Sequence, residues 1–288
     1  MYFKSFNSIE KTVKIICAIS AILCAMFAIA CTSEGMLTNS VFPVTVRATE
    51  CKRIDADFSE SYTAVVISDP HFSSGRERLP EEFYQWLDKL PQERKPQLCL
   101  VLGDIANHGL PSEYEFYNAF VQEMRGRGME VYGILGNHDV FESGDFGRNY
   151  LSAVEPHAAC YSVRTPRLSY YFIDTADDLV GQPQYSALES QMETDSNPKI
   201  ILSHVPLYAP TSIYYRMKNS VERARLLSLF SRHNVRMFLC GHLHEYHTYD
   251  MGAFEEIIVN TSTEGSWGIL TVDESAGKLK YENVPPKN

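Results

Sequence analysis

Short apolar runs of strand length recur along the chain and constrain its fold more than any other feature. Six of them are rich in β-branched or aromatic residues, as buried strands are: YTAVVIS, LCLVLG, EVYGILG, SYYFID, KIILSH and VRMFLCG. Stretches at 111–128 and 220–234 have the signals of amphipathic helices. Three more strand-like runs (EEIIVN, GILTV and KLKYENV) follow without helices between them. The pattern predicts one α/β domain over 62–288 with a β-rich C-terminal section.

Five of these strands end at side chains of the types that bind metals. The blocks that follow them are Asp69-Pro70-His71, Gly103-Asp104, Gly136-Asn137-His138-Asp139, Ser203-His204 and Gly241-His242-Leu243-His244. One such block alone usually marks a turn or a surface pair. Because functional groups of open α/β sheets gather at the carboxyl ends of strands, we expect the five blocks to converge. Imidazole, carboxylate and amide ligands without a thiolate favour manganese, iron, zinc or cobalt over calcium or a structural zinc site.

The ordered blocks D-x-H, G-D, G-N-H-D, S-H and G-H-x-H resemble those of the calcineurin-like metallophosphoesterase family, and all five are intact between Asp69 and His244. The resemblance implies a four-layer α-β-β-α sandwich, in which two mixed β-sheets pack face to face and helices cover the outside. It also implies two divalent metal ions at one edge. Purple acid phosphatases of this family have a tyrosine three residues after the Asp of the G-D block. Asn107 stands there, which argues against the tyrosine-bound ferric version.

The resemblance further implies a role for each residue of the blocks. The first metal would be held by Asp69, His71, Asp104 and His244. The second would be held by Asn137, His204 and His242, with Asp104 bridging the two. A hydroxide shared by the metals would attack the phosphorus. His138 would donate a proton to the leaving group as general acid, and Asp139 would orient it.

These residues predict metal-dependent hydrolysis of phosphomonoesters or phosphodiesters, with nucleotides or cyclic nucleotides among the candidate substrates. Two alternatives stay open: a nuclease of the same family, and a surface binding protein that keeps the fold and the metals without turnover. The chain has 26 basic and 36 acidic residues, a formal net charge of -10. That charge argues against a nucleic acid as partner. The oligomeric state is left open.

Three residues near the blocks are candidates for contact with the substrate. His108 follows Asn107, and the alternative for it is a solvated loop histidine. Tyr208 and Tyr215 lie in a long loop after His204, where aromatic rings can stack on a nucleobase or an aryl group. Ordinary packing of the two tyrosines is the alternative.

The first thirty residues have the composition of an export signal. Lysines precede a run of 16 residues, IICAISAILCAMFAIA, that is apolar except for Ser20. Its end resembles a bacterial lipobox, with Ala30 before a cysteine to be acylated. We therefore expect a signal peptide at 1–30, a lipid on Cys31, a tether and N-terminal segment at 31–61, and a location in the cell envelope outside the cytoplasm. A secreted or periplasmic protein and an uncleaved anchor are the alternatives.

Four cysteines follow Cys31. Cys99 and Cys240 lie inside apolar strand-like runs, which favours reduced thiols in the core. A disulfide between Cys51 and Cys160 is left open, because an oxidising compartment would allow it.

Overall fold

The computed structural model describes residues 48–58, 60–210 and 215–286. The predicted signal peptide, the lipidation candidate Cys31 and most of the predicted tether lie outside the described residues. Within these ranges no helix has the length and apolar character needed to cross a membrane.

Twelve strands form two mixed sheets in the described ranges. The larger sheet contains β1 (Lys52–Asp55), β5 (Tyr161–Arg164), β6 (Ser169–Phe172), β7 (Lys199–Leu202), β8 (Val235–Cys240), β9 (His247–Asp250) and β10 (Glu255–Ile258), in the order β1-β5-β6-β7-β8-β10-β9. The smaller sheet contains β2 (Ser61–Ile67), β3 (Leu98–Leu102), β4 (Glu130–Ile134), β11 (Trp267–Asp273) and β12 (Lys278–Val284), in the order β12-β11-β2-β3-β4. Strands β2, β3 and β4 run parallel, and so do β7 and β8.

Helices cover the outer faces of both sheets. They are α1 (Glu81–Lys89), α2 (Pro111–Gly126), α3 (His138–Phe141), α4 (Arg148–Ala153), α5 (Gln182–Glu193) and α6 (Ser220–Arg232). Phe83 of α1 packs on Trp267 of β11, and Phe230 of α6 packs on Phe238 of β8. Between the sheets, Tyr132 of β4 packs against Phe172 of β6, with ring centroids 6.0 Å apart. The predicted α-β-β-α sandwich is confirmed.

All nine predicted strands and both predicted helices are present, with ends that differ by a few residues. The apolar pattern missed β1, β5 and β9, and the helices α1, α3, α4 and α5. Strand β1 has the sequence KRID and lies at the edge of its sheet, so it does not need an apolar run. It pairs with β5 in parallel. The folded domain therefore includes residues upstream of the predicted boundary at 62.

Candidate metal centre

The carboxyl ends of five parallel strands bring all seven predicted ligands to one edge of the sandwich. The smaller sheet contributes Asp69 and His71 after β2, Asp104 after β3 and Asn137 after β4. The larger sheet contributes His204 after β7, and His242 and His244 after β8. In each sheet the contributing strands are neighbours, so short loops suffice to bring the side chains together.

One group of ligand atoms comes from Asp69, His71, Asp104 and His244, and all of these atoms lie within 4.8 Å of one another. His244 Nε2 is 3.2 Å from Asp69 Oδ1 and 3.4 Å from His71 Nε2. His71 Nε2 is 3.8 Å from Asp104 Oδ2. These are the four residues that the family pattern assigns to the first metal.

A second group comes from Asp104, His204 and His242, whose ligand atoms are also within 4.8 Å of one another. His204 Nε2 is 3.3 Å from Asp104 Oδ1 and 3.2 Å from His242 Nδ1. Asn137 Oδ1 lies 2.9 Å from the same His204 nitrogen. Asp104 belongs to both groups and presents Oδ2 to one and Oδ1 to the other.

The ligand atoms of this site are better suited to binding cations than to hydrogen bonding with one another. His204 Nδ1 lies 2.9 Å from the carbonyl oxygen of Leu102, which fixes the proton on Nδ1 and leaves a lone pair on Nε2. In the neutral imidazole that lone pair would face the oxygens of Asn137 and Asp104, so either a second proton or a cation must lie between these acceptors. Two divalent cations, one in each group, would satisfy these atoms. We conclude that the residues form a candidate binuclear metal site.

The electrostatics of the protein without ions point the same way. Burial alone would lower the pKa of His204, but the charge of Asp104 and a hydrogen bond to it raise that pKa to about 10. Burial alone would raise the pKa of Asp104, but the neighbouring histidines hold it well below its usual range. A buried position that favours positive charge so strongly is suited to a cation.

Five of the seven ligand residues have left-handed backbone. The φ angles are 50° for Asp69, 45° for His71, 46° for Asp104, 69° for His242 and 55° for His244. This conformation costs roughly 1–3 kcal/mol for a residue other than glycine, and such residues cluster at functional sites. Hydrogen bonds from the surroundings oppose the strain. The hydroxyl of Thr261 donates to the carbonyl oxygen of Asp69 at 2.9 Å, and the amide of His242 donates to Asp69 Oδ2 at 3.1 Å.

Two glycines of the blocks allow the ligand loops to touch. A Cβ on Gly136 would lie 2.2 Å from Asp104 Oδ1. A Cβ on Gly241 would lie 1.8 Å from the hydroxyl oxygen of Ser68 and 2.5 Å from Asp69 Oδ2. The Gly241 contact joins the two sheets, because Gly241 follows β8 and Ser68 follows β2. Any side chain at either glycine would push a ligand away.

His138 lies beside the first group, but its orienting partner differs from the prediction. Its ring contacts the ring of His71 edge-on, with centroids 4.7 Å apart. His138 Nδ1 lies 2.8 Å from the backbone carbonyl oxygen of Asn107, to which it donates. The amide of His138 donates to Asp104 Oδ1 at 2.9 Å. The prediction that Asp139 orients His138 is wrong, because both carboxylate oxygens of Asp139 are engaged elsewhere.

Asp139 instead ties together the loops that carry two ligands. Its carboxylate accepts from the amides of Ile105 (3.0 Å) and Ala106 (2.9 Å), which follow Asp104. It also accepts from the amide of Gly136, which precedes Asn137, at 2.8 Å. The Tyr114 hydroxyl of α2 is the fourth donor, at 2.9 Å. Asp139 is fully buried, so these hydrogen bonds replace its hydration and fix the backbone beside Asp104 and Asn137.

Two buried threonines that support the ligands were not predicted. Thr175 follows β6, and its Oγ1 accepts from the amides of His204 (3.2 Å) and Val205 (2.9 Å). Thr261 follows β10 and holds the backbone of Asp69. Both lie just past strand ends, the same signal that revealed the ligands. A lone threonine after a strand has no metal-ligand character, so residue type could not identify it.

The structure brings one of the three predicted substrate residues next to the ligands. The Tyr215 ring is half exposed and lies 6.0 Å from the ring of His242, centroid to centroid. Tyr208 packs on Tyr249 of β9, with centroids 4.7 Å apart. His108 is exposed, and its Nδ1 is 2.8 Å from Glu113 Oε1. Contact with substrate stays a prediction for all three.

The structure thus places a candidate binuclear site at the carboxyl edge of a two-sheet sandwich, as the five blocks predicted. Residues 62–246 match the family described as calcineurin-like phosphoesterase. The chain therefore belongs to that family, and the prediction drawn from the five blocks is confirmed.

Two curated relatives have names that suggest a substrate for those proteins. The chain is 28% identical over 160 residues to a probable cyclic nucleotide phosphodiesterase of Synechococcus sp.. It is 26% identical over 158 residues to another from Fibrobacter succinogenes. Each alignment spans 54% of this chain and 60% of the relative's own length.

Solved structures show the same fold at low identity. A dimetal phosphatase of Danio rerio has a TM-score of 0.50 and 14% identity, and the match covers 73% of this chain and 92% of that one. A purple acid phosphatase of yellow lupin has a TM-score of 0.57 and 14% identity, with 80% and 54% covered. GAP50, the anchor in the inner membrane complex of Plasmodium, also has a TM-score of 0.57 and 14% identity, with 79% and 90% covered.

Proposed function

We propose that the protein hydrolyses small phosphomonoesters or phosphodiesters, with cyclic nucleotides as the first candidates, by means of two divalent metal ions. The observation that carries the proposal is Asp104, whose two carboxylate oxygens belong to two separate groups of ligand atoms. The names of the two curated relatives support cyclic nucleotides as substrates. Manganese, iron, zinc and cobalt all suit this mixture of imidazole, carboxylate and amide.

The ligand set leaves the loaded site positively charged. Among the seven ligands, Asp69 and Asp104 carry negative charge and the other five are neutral when they bind a metal. When bound, the two cations activate a water molecule and neutralise charge on the phosphate oxygens. Because two carboxylates do not cancel two divalent charges, an anionic phosphoester is attracted to this edge of the sandwich.

His138 is the proposed general acid. Since Nδ1 donates to the carbonyl oxygen of Asn107, Nε2 is the nitrogen that remains for the leaving oxygen. The edge contact with His71 and the hydrogen bond that the backbone amide of His138 donates to Asp104 hold the imidazole beside both groups of ligand atoms. In this proposal Nε2 gives its proton to the leaving alkoxide, while Asn107 keeps the ring in place.

Two half-exposed rings near the ligands form the proposed wall for the alcohol part of the substrate. Tyr215 lies next to His242, and Phe141 lies one turn after His138 in α3. Both rings are 50% exposed, so each keeps apolar surface available for contact with a nucleobase. We retain His108 as a contact for the phosphate and Tyr208 as an outer part of this wall.

Reconstitution with metals tests the proposal. The purified chain is stripped with a chelator, reloaded with one metal at a time, and offered p-nitrophenyl phosphate, bis-p-nitrophenyl phosphate and cyclic nucleotides. We expect activity to rise until two equivalents are bound. A protein that binds two ions and turns over nothing would be the non-catalytic binding protein. Preferential cleavage of single-stranded DNA would instead make it the nuclease.

We also propose that the protein works outside the cytoplasm on a lipid anchor at Cys31. The charged and apolar segments before Cys31 support this location. Labelling of producing cells with a radioactive fatty acid tests it. The label should appear on the wild-type chain and be absent from Cys31→Ala. An unlabelled wild-type protein in the soluble extracellular or periplasmic fraction would favour a cleaved signal without lipid.

A further inference from the structure

We propose that Cys51 and Cys160 form a disulfide site that fastens the edge strand β1 to the rest of the domain. The pairing of β1 with β5 runs in parallel and matches Lys52 with Tyr161, Arg53 with Ser162 and Ile54 with Val163. One step back along both strands, the same register sets Cys51 opposite Cys160. The backbone supports this extension, since the amide of Lys52 donates to the carbonyl oxygen of Cys160 at 3.0 Å.

The register meets the geometric needs of a disulfide. Neighbouring strands lie about 4.8 Å apart, and cysteines can be bridged when their Cα atoms are roughly 4.4–6.8 Å apart. The pair stands one step before the first ladder partners, and the hydrogen bond between the two thiols places the sulfurs within reach of each other. Both cysteines are reduced in the structure. Burial raises the pKa of the Cys160 thiol, and a hydrogen bond with the Cys51 thiol raises it further.

A glutamine of α5 holds the less buried cysteine in place. Gln191 donates its side-chain amide to the carbonyl oxygen of Cys51 at 2.5 Å. Its Oε1 accepts from the hydroxyl of Ser162 on β5 at 2.9 Å. Gln191 thus links the backbone before β1 to β5, the strand that directly follows Cys160. The pair is pre-positioned by groups that do not depend on the bond itself.

The two thiols differ in exposure in the way that exchange chemistry needs. Cys51 is partly exposed and Cys160 is buried, so an external disulfide can reach Cys51 first. The Cys51 thiolate attacks that disulfide, and one external thiolate leaves. The Cys160 sulfur then attacks the Cys51 sulfur, its proton passes to the solvent, and the second external thiolate leaves. Two protein thiols are oxidised to one disulfide, and one external disulfide is reduced to two thiols.

The other two described cysteines differ from this pair. Cys99 lies inside β3 and Cys240 inside β8, and both are fully buried. The Cys240 thiol lies near Glu256 Oε1 and the carbonyl oxygen of Ile257. Neither position gives an external disulfide access to the sulfur. We therefore expect oxidation to select Cys51 and Cys160.

The bond would stabilise a part of the fold that is otherwise weakly held. Strand β1 has four residues, lies at the edge of its sheet and pairs with β5 alone. A covalent link from Cys51 to Cys160 closes a loop of about 110 residues, and long loops favour a large stabilisation. The chain before β1 leads to the proposed anchor at Cys31, so a force on that anchor would pull on β1 first.

Oxidation of the purified full chain tests the inference without any activity measurement. The protein is equilibrated with mixtures of reduced and oxidised glutathione, quenched with acid, alkylated under denaturing conditions and digested without reduction. We expect a cross-linked peptide joining Cys51 to Cys160 and lighter by two hydrogens than its separate parts. The thermal midpoint of the oxidised protein should exceed that of the reduced protein by on the order of 5 to 10 °C.

Variants separate the bond from general effects of oxidation. The rise of the midpoint should vanish in Cys51→Ser and persist in Cys99→Ala, the matched control for a buried thiol. If both cysteines are still alkylated at every glutathione ratio, or if Cys51 carries only a glutathione adduct, the inference is overturned. These outcomes are read from peptides, so they are independent of whether the protein hydrolyses phosphoesters.

Discussion

The two sheets supply different side chains to the candidate metal centre. The smaller sheet provides both carboxylates, the amide and one imidazole: Asp69, Asp104, Asn137 and His71. The larger sheet provides three imidazoles, from His204, His242 and His244. All the formal negative charge of the seven ligands therefore lies on one side.

Because of this difference, the smaller sheet mainly attracts cations through its charge, and the larger sheet mainly determines which cation binds. Carboxylates suit hard ions such as calcium, magnesium and manganese as well as zinc, whereas imidazoles suit zinc, iron and other transition metals. The charge of the smaller sheet also changes the larger one, because Asp104 raises the pKa of His204. Burial and the neighbouring His204 lower the pKa of His242 to about 4. Loss of a ligand should thus have consequences that depend on its sheet.

The largest effect is expected for Asp104→Asn in the smaller sheet. The amide keeps the size of the side chain but removes the charge shared by the two groups of ligand atoms. We expect fewer than one metal ion per chain and a loss of roughly 10⁴-fold in kcat/KM, because both groups of ligand atoms lose their shared charge. Each tenfold loss corresponds to about 1.4 kcal/mol of transition-state stabilisation. Elemental analysis after gel filtration and steady-state kinetics measure the two quantities.

His242→Ala is the matched control in the larger sheet. Its ligand atom belongs to the second group and not to the first. One ion per chain should remain in this variant, held by the intact first group. If Asp104→Asn keeps two ions, or if the two variants lose metal equally, the charge of the smaller sheet is not what holds the centre together.

The next effect is expected for His138→Ala, which removes the proposed acid and leaves every ligand intact. We expect a loss of about 10²–10³-fold in kcat for substrates with an alkoxide leaving group, and unchanged metal content. A nitrophenolate leaves without protonation, so the loss should be much smaller for p-nitrophenyl esters. An equal loss for both leaving groups would show that His138 binds the substrate and does not protonate it.

The fold was predictable where strands are buried on both faces. Strand β3 has the sequence LCLVL, and all five residues are buried, so the apolar run in the sequence coincides with the strand. Strand β5 is also buried but has the sequence YSVR. Arg164 reaches the hydroxyl of Tyr171 at 3.0 Å, and Ser162 reaches Gln191. Partners supplied by the tertiary structure allow polar residues inside, and no local pattern reveals them.

The metal ligands were also predictable from the sequence, whereas the group that orients His138 was not. Only a few residue types bind metals, so the residue types in the blocks after the strands were enough to reveal the ligands. The orienting group of His138 is the backbone carbonyl of Asn107, which any residue at that position could offer. Asp139 follows His138 in sequence, but its side chain turns to the loop after Asp104. Adjacency along the chain did not predict contact in space.

A smaller effect is expected for Asp139→Asn, which tests whether Asp139 clamps together the loops that follow β3 and β4. The amide would turn a donor towards backbone N–H groups that now find an acceptor. We expect a decrease of about 1–3 kcal/mol in the free energy of unfolding and a loss of roughly tenfold in activity through displaced ligands. Denaturant titration and kinetics measure both. As a clamp, Asp139 should affect nitrophenyl and alkyl esters equally, whereas an orienter of His138 would affect alkyl esters more.

The smallest effect on activity is expected for Glu256 of β10, a buried carboxyl group of the larger sheet that should influence stability alone. Glu256 is fully buried, and its Oε1 accepts from the amides of Leu207 (2.6 Å) and Tyr208 (3.2 Å), at the start of the loop that leads to Tyr215. Burial raises its pKa from 4.5 to about 7. The folded protein therefore holds a proton that the unfolded chain releases, and stability should fall as pH rises from about 4.5 to 7 and then level off.

Glu256→Gln cannot titrate, so it isolates this contribution. The stability of the variant relative to wild type should increase between pH 5 and pH 8 by at most about 3 kcal/mol, because each pKa unit corresponds to 1.36 kcal/mol. Urea titrations of both proteins across this range, with metal removed to keep the ligands out of the comparison, give the difference directly. A constant difference would mean that Glu256 keeps its charge on folding. In that case Glu256 would place a buried negative charge behind the ligands of the larger sheet, and the excess of negative charge in the smaller sheet would be confined to the ligands themselves.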